Sequence, residues 1–321
     1  MRAWDLERPV ARLGVPVSPS AAYVLSRVTL GSDIKIVSPV LDAMKRRFPE
    51  ARIVFVGGRK SAELFAEDGR VQFLEAAYPR TGSMEERIAF ASELRARITE
   101  PDAMVVDPDS RLTQLGLVPL HPNHFHFPSR TAGSVGPANL SDLTSDWLFD
   151  TFGIRGAAYI APTPVPAGDE PFAAISLGVG GNDSKCLPGN FESRLVGELG
   201  SRFPGLWIDR GAGGEEARRV TAAVEASGQA AKVRYWEGSF AAFASIISQA
   251  AFYAGYDSAG QHAAAACGIP TFSVFAGAPS ERFENRWAPK GPGLVRTVSS
   301  RLQSPDDCLR ALADAAAMIE I

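Results

Sequence analysis

Short apolar runs alternate along this chain with stretches whose apolar positions recur at helical spacing. Ala21 to Val28 reads as a strand and Thr29 to Asp33 as a polar break. Ile34 to Arg47 reads as a helix carrying Val37, Val40, Leu41 and Met44 on one stripe. Pro49 ends that helix. The strand Arg52 to Val56 follows, then a Gly57-Gly58 turn into a helix with Arg59 and Lys60 near its start. Val71 to Leu74, Met84 to Ile98 and Ala103 to Val106 continue as strand, helix and strand. The second half repeats the alternation: strands at Phe172 to Leu177, Gly205 to Asp209, Val233 to Trp236, Ala250 to Tyr253 and Thr271 to Phe275, with helices between them. Ser304 with Pro305 behind it opens a closing helix to Ile321. Strands alternating with helices predict parallel, doubly wound sheets.

Ala161 to Pro171 breaks the pattern. Pro162, Pro164, Pro166 and Pro171 in so short a run suit neither a helix nor a central strand. The expectation is an N-terminal domain over residues 1–160, a linker over 161–171 and a C-terminal domain over 172–321. The closing helix is a candidate to pack back on the first domain. With 321 residues, 45% hydrophobic and 21% charged, the chain reads as an ordinary globular protein. A net charge of −3 argues against a nucleic-acid footprint. Asp5 and Glu7 interrupt any leader, and no apolar run reaches spanning length, so a cytoplasmic protein is expected. Cys186, Cys267 and Cys308 lack metal-type spacing and are expected as reduced thiols.

Candidate chemistry sits in the polar elbows at strand ends, where open α/β sheets bind ligands. Gly178 to Gly181 followed by Lys185 offers backbone amides and an ammonium to a diphosphate, although glycines are equally plain turn residues. Glu215 and Glu216 could accept hydrogen bonds from a ribose diol or simply complement a helix dipole. Asp257 and Ser258 stand where either a ligand grip or a routine N-cap is expected, and His262 falls in the next helical turn. In the first half, His121 to Phe127 (HPNHFHF) places His124 and His126 on one strand face. With no carboxylate or cysteine nearby in sequence, a partly exposed strand is preferred there to a zinc site.

Taken together, these elbows resemble glycosyltransferase family 9, the heptosyltransferases of lipopolysaccharide core synthesis. The resemblance rests on Asp257-Ser258-Ala259-Gly260-Gln261-His262 with its Ala-rich helix and Gly268-Ile269-Pro270, on Lys185 before Leu187-Pro188, and on Gly211 to Glu216. In the first half it rests on Gly31-Ser32-Asp33 and Arg47-Phe48-Pro49. It covers about Tyr23 to Trp287. Ser32 splits the family's Gly-Asp pair, Ala259 replaces a Gly, Gly180 and Gly181 replace hydroxyl side chains, and Leu187 replaces a Trp.

The resemblance implies the GT-B fold: α/β, two Rossmann-like domains with parallel sheets facing across a cleft. It implies inverting, metal-independent sugar transfer from a nucleotide diphosphate, ADP-linked by analogy, with no cofactor. The implied acceptor is a glycan or lipid-linked molecule, met peripherally at the inner membrane face. Asp33 would then be the general base. Gly180, Gly181, Lys185, Glu215, Glu216, Asp257, Ser258, Gly260 and His262 would hold the donor, and Arg59, Lys60 and Arg111 would face an anionic acceptor. A non-catalytic nucleotide-sugar or glycan-binding relative is the alternative. A dinucleotide oxidoreductase is disfavoured, because no G-x-G-x-x-G follows either opening strand.

Overall fold

The computed structural model describes residues 15–133, 138–180, 182–211 and 213–320. The chain divides into two compact units, Met1–Pro162 and Thr163–Ile321. The extended, proline-bearing stretch around that division makes no helix or strand.

The first unit contains β1 (Ala21–Leu25), α1 (Leu30–Ser32), a π-helical turn over Asp33–Val37, α2 (Ser38–Arg47), β2 (Arg52–Gly57), α3 (Arg59–Ala62) and β3 (Val71–Glu75). It continues through α4 (Met84–Ala96), β4 (Met104–Asp107), β5 (His124–His126) and α5 (Leu140–Phe152). Its strands form one parallel sheet in the order β3-β2-β1-β4-β5. The register sets Tyr23 beside Val54 and Val105, so β1 is buried along its whole length. That is why its sequence is a continuous apolar run and not an alternating one.

The second unit contains β6 (Phe172–Ser176), α6 (Phe191–Arg202), β7 (Gly205–Asp209), α7 (Gly214–Ser227), β8 (Val233–Trp236), α8 (Phe240–Ile247) and β9 (Phe252–Tyr256). It then runs through α9 (Ala259–Ala266), β10 (Thr271–Phe275), α10 (Glu281–Trp287), β11 (Val295–Ser299) and α11 (Pro305–Ala317). Its parallel sheet has the order β11-β10-β9-β6-β7-β8. One side of its core joins Ile175, Leu206, Phe252 and Phe272 to Leu195 and Leu199 of α6 and Leu312 of α11. The closing helix therefore packs on its own unit, against α6 and β11.

In each sheet the strand order reverses once, between β1 and β4 and between β6 and β9. A crevice opens at such a switch point because the following crossovers leave in opposite directions. The π-helical turn lies at the first of these. Its ring closes with Ser38 N–H donating to the Asp33 carbonyl, one residue wider than an α-helical bond. Asp33, the first residue of that turn, reaches back to the elbow after β1. Among the described residues no helix is long and apolar enough to cross a membrane. Cys186, Cys267 and Cys308 are free thiols.

Candidate functional site

At the switch point of the second sheet, the elbow after β6 meets the elbow after β9. Lys185 Nζ donates to Asp257 Oδ2 at 2.9 Å and contacts the Asp257 carbonyl at 3.3 Å. The other carboxylate oxygen accepts from Gln261 Nε2 at 2.6 Å. Gln261 is fully buried, and its own oxygen accepts from the Ser273 hydroxyl on β10. The aspartate is thus oriented from two sides, by a half-exposed cation and by a buried amide.

Ser258 occupies the N-cap of α9 without making a capping bond. Its Oγ and the Tyr253 Oη are both buried and neither makes a well-formed hydrogen bond, although Ser258 and Ser176 lie close enough to the phenol to oppose the effect of burial on it. Burial, ahead of any neighbour, holds the Tyr253 phenol well above its ordinary range. Gly260 passes directly over this ring: a Cβ there would lie 2.2 Å from Oη.

Glu216 enters the same edge from the first turn of α7. Its carboxylate accepts from Val179 N–H at 3.0 Å, and a Cβ on Gly211 would fall 1.7 Å from it. The glycine keeps open the space that the carboxylate fills. Gly180 has φ +63° and faces open space, so backbone conformation and not crowding calls for glycine there.

The first sheet carries a second polar edge. Asp33 is fully buried; its carboxylate accepts from Ser26 Oγ and from Arg27 N–H, each at 2.7 Å. Burial is the largest influence on it and lifts its pKa to about 6, against the lowering effect of Ser61, Ser26 and Arg27. Ser110 Oγ donates to the Ser26 carbonyl at 2.6 Å and ties the two elbows across the switch point. Arg27 is only 5% exposed, and its Nε has no partner. Burial, then the nearby Arg130, lowers its pKa to about 10. Asp109 accepts from the Arg130 N–H at 2.9 Å, and Arg111 reaches the Arg27 carbonyl at 3.4 Å. Val28 and Asp109 both hold φ +66°. For a β-branched residue that is a strained backbone, and such strain gathers at functional edges.

By sequence the chain matches no protein-family profile and no curated protein. By structure it superposes on a family 9 glycosyltransferase from Veillonella parvula, with TM-score 0.70 and 12% identity, covering 95% of this chain and 99% of that one. It also superposes on the E. coli heptosyltransferase WaaC solved with ADP, with TM-score 0.65 and 16% identity, covering 93% and 98%. E. coli ADP-heptose LPS heptosyltransferase II gives TM-score 0.60 and 15% identity over 93% and 99%. The chain has the fold of the family 9 glycosyltransferases.

Within this family 9 fold, Lys185, Asp257, Ser258, Gly260 and Glu216 converge on the edge of the second sheet as the elbows implied. His262 is buried one turn into α9, its ring 6.2 Å from that of Trp287. Glu215 does not join them: its carboxylate turns to solvent and pairs with Arg218 at 2.5 Å, because adjacent helical positions face different sides. Gly181 lies outside the described residues.

Of the expected acceptor bases, Arg111 reaches the Arg27 carbonyl, and Arg59 and Lys60 open the short helix α3 just after β2. Arg59 is exposed and pairs with Glu75 at 2.8 Å, and Lys60 is exposed on the same short helix. Gln261, Ser273, Arg27 and Arg130 were not singled out from sequence. Gln261, four residues after Asp257, could have been: one helical turn returns it to the same face.

The histidine strand needs correction on two counts. It is mostly buried, and a carboxylate does lie beside it, on the neighbouring strand: Asp107 Oδ2 is 3.3 Å from His124 Nε2 and 3.5 Å from His126 Nδ1. These ligand-type atoms lie within 4.8 Å of one another. The hydrogen bonding, however, is that of a protein network. His124 Nδ1 accepts from Leu120 N–H at 3.1 Å, which leaves the ring proton on Nε2, facing Asp107. A metal-bound histidine normally donates from its second nitrogen. Asp107 also accepts from Ser110 N–H and the Thr113 hydroxyl. Its carboxyl is held well below its usual range; burial opposes this and the two histidines produce it.

Proposed function

We propose that this chain is an inverting, metal-independent glycosyltransferase that moves a sugar from a nucleoside diphosphate, by analogy a heptose from ADP-heptose, to a glycan or lipid-linked acceptor. The observation that carries the reading is the Lys185–Asp257 pair at the switch point of the second sheet. It supplies one positive charge to a leaving diphosphate and one carboxylate to sugar hydroxyls. The shared fold supports it, since two of the similar E. coli proteins are heptosyltransferases, one of them solved with ADP.

In this reading the acceptor oxygen attacks the anomeric carbon, the bond to the diphosphate breaks, and Asp33 takes the acceptor's proton. A carboxylate with pKa raised to about 6 suits that task better than an ordinary one. Lys185 neutralises the departing diphosphate beside the amides around Gly180, and the Ser258 hydroxyl, which does not cap α9, serves the phosphate end. Glu216 takes the ribose. Arg27, Arg111 and Arg130 give the first sheet's edge a positive character suited to an anionic acceptor.

The test is release of nucleoside diphosphate from ADP-, UDP-, GDP- and dTDP-sugars with acceptor extracts and no added metal. Release from one donor, lost in Asp33→Asn, supports transfer. Binding without release from any donor would favour a non-catalytic relative.

A further inference from the structure

The two faces of α10 meet different surroundings. Phe283 and Trp287 share one face, and Trp287 packs near His262. Glu281, Glu284, Asn285 and Ala288 recur at helical spacing on the opposite face. There they wall a cavity of about 430 Å³. The far wall is the end of β11 and the turn behind it. Thr297 and Ser299 share a sheet face, and the register sets Ser299 beside Phe275. The cavity thus lies across a helix from His262, apart from the edge where Lys185 and Asp257 meet.

Its walls are held by backbone hydrogen bonds. Ser300 N–H donates to the Phe275 carbonyl at 2.9 Å, and the N–H groups of Leu302 and Gln303 converge on the Ser299 carbonyl at 3.1 and 3.0 Å. Ser299 Oγ accepts from Arg301 N–H at 3.2 Å and donates to Glu284 Oε1 at 2.6 Å. Glu284 is only 9% exposed, and that is the one hydrogen bond its carboxylate makes among the described residues. Neither Glu284 nor Glu281 has a cationic partner among them, and no lysine, arginine or histidine lines the cavity. A nearly buried carboxylate without a counter-charge is costly to keep ionised. A cation brought into the cavity removes that cost.

Size and lining decide between kinds of cation. A metal ion with its waters, at about 30 Å³ each, would fill only part of the space, and the side chains of Phe275, Ala288 and Leu302 offer an ion nothing to bind. Those apolar side chains suit a short aliphatic chain, and about 300–1,000 Å³ is usual for small-molecule sites. We propose that this cavity is a ligand site for a short aliphatic diamine. One ammonium pairs with the buried Glu284, the methylenes lie along Phe275 and Leu302, and the second ammonium reaches the exposed Glu281 at the mouth. This inference does not rest on the transfer reaction, and its test needs no sugar donor.

The test is titration calorimetry of the full chain with putrescine, with butanediol as its uncharged counterpart, and with calcium chloride at matched ionic strength. Putrescine is expected to bind at a single site and butanediol not at all. Glu284→Gln keeps an acceptor for Ser299 but removes the charge, and should weaken putrescine by about tenfold or more. Thr297→Lys changes an exposed position of β11, brings an internal ammonium to the same cavity, and should weaken putrescine as much. The proposal is overturned if folded wild type takes no putrescine or takes butanediol equally well. It is equally overturned if folded Glu284→Gln binds putrescine as wild type does, or, should that variant not fold, if Thr297→Lys does. Calcium binding in place of putrescine would overturn it in favour of a metal site.

Discussion

Lys185 and Asp257 lie 72 residues apart in sequence, and their side chains meet at 2.9 Å across the point where the second sheet reverses its strand order. Each is the other's counter-ion. In the proposed reaction a diphosphate that takes the lysine must compete with a carboxylate already in place, and Gln261 then keeps that carboxylate oriented. Gln261→Leu is expected to leave the fold intact and weaken nucleotide-sugar binding more than binding of the bare nucleoside diphosphate. Comparing the two affinities by calorimetry checks this; an equal loss for both ligands would remove the positioning role.

Asp33 supplies a pH prediction. In the proposed reaction Asp33 must be ionised to take the acceptor's proton, and burial raises its pKa to about 6. Transfer should therefore be fully developed above that value and decline as the pH falls through it. Asp33→Asn should lose about 10²–10⁴-fold in rate while still binding the donor. A rate profile flat from pH 5 to 8 would contradict the assignment.

Asp107 acts in the opposite direction. Its folded pKa is depressed, so its contribution to stability is present above the ordinary carboxylate range and is lost as pH falls through the folded value. Asp107→Ala leaves His124 and the Ser110 N–H without their acceptor, and Thr113 with only the Ser110 carbonyl at 3.1 Å. It should cost about 3–5 kcal/mol in a denaturant titration near neutral pH. Because His124 Nδ1 already accepts from Leu120 N–H, chelator treatment should leave the wild-type melting temperature where it was.

Tyr253 and Gly260 form a steric pair. Gly260→Ala would place a methyl 2.2 Å from a buried hydroxyl and should destabilise by about 1–3 kcal/mol. Since that hydroxyl makes no well-formed hydrogen bond, Tyr253→Phe alone should cost little. Combined with Gly260→Ala it should recover part of the loss. A double-mutant cycle with no coupling would show that the two do not press on each other.

The alternation of apolar runs and helical stripes made the parallel sheets legible, because buried parallel strands must be continuously apolar. The elbows after β6 and β9 were legible for a related reason: an acid, a cation and glycines at strand ends have few structural duties there. What escaped was whatever depended on neighbours distant in sequence. The Asp107 partner of His124 lies on another strand, and Arg27 reads as the last residues of an apolar run until the chain turns there. Arg59 and Arg111 look alike in sequence. Only folding shows that one pairs with Glu75 at the surface and the other with the Arg27 carbonyl.

The most direct test is a thermal-shift titration with ADP, UDP, GDP, dTDP and NAD, without added metal, on wild type and on Lys185→Ala. The account predicts that one nucleoside diphosphate selectively raises the wild-type melting temperature, in proportion to ligand excess over Kd, and that the rise is lost in Lys185→Ala although the variant is folded. No rise with any diphosphate, or an equal rise in the variant, would contradict a donor site at the edge of the second sheet.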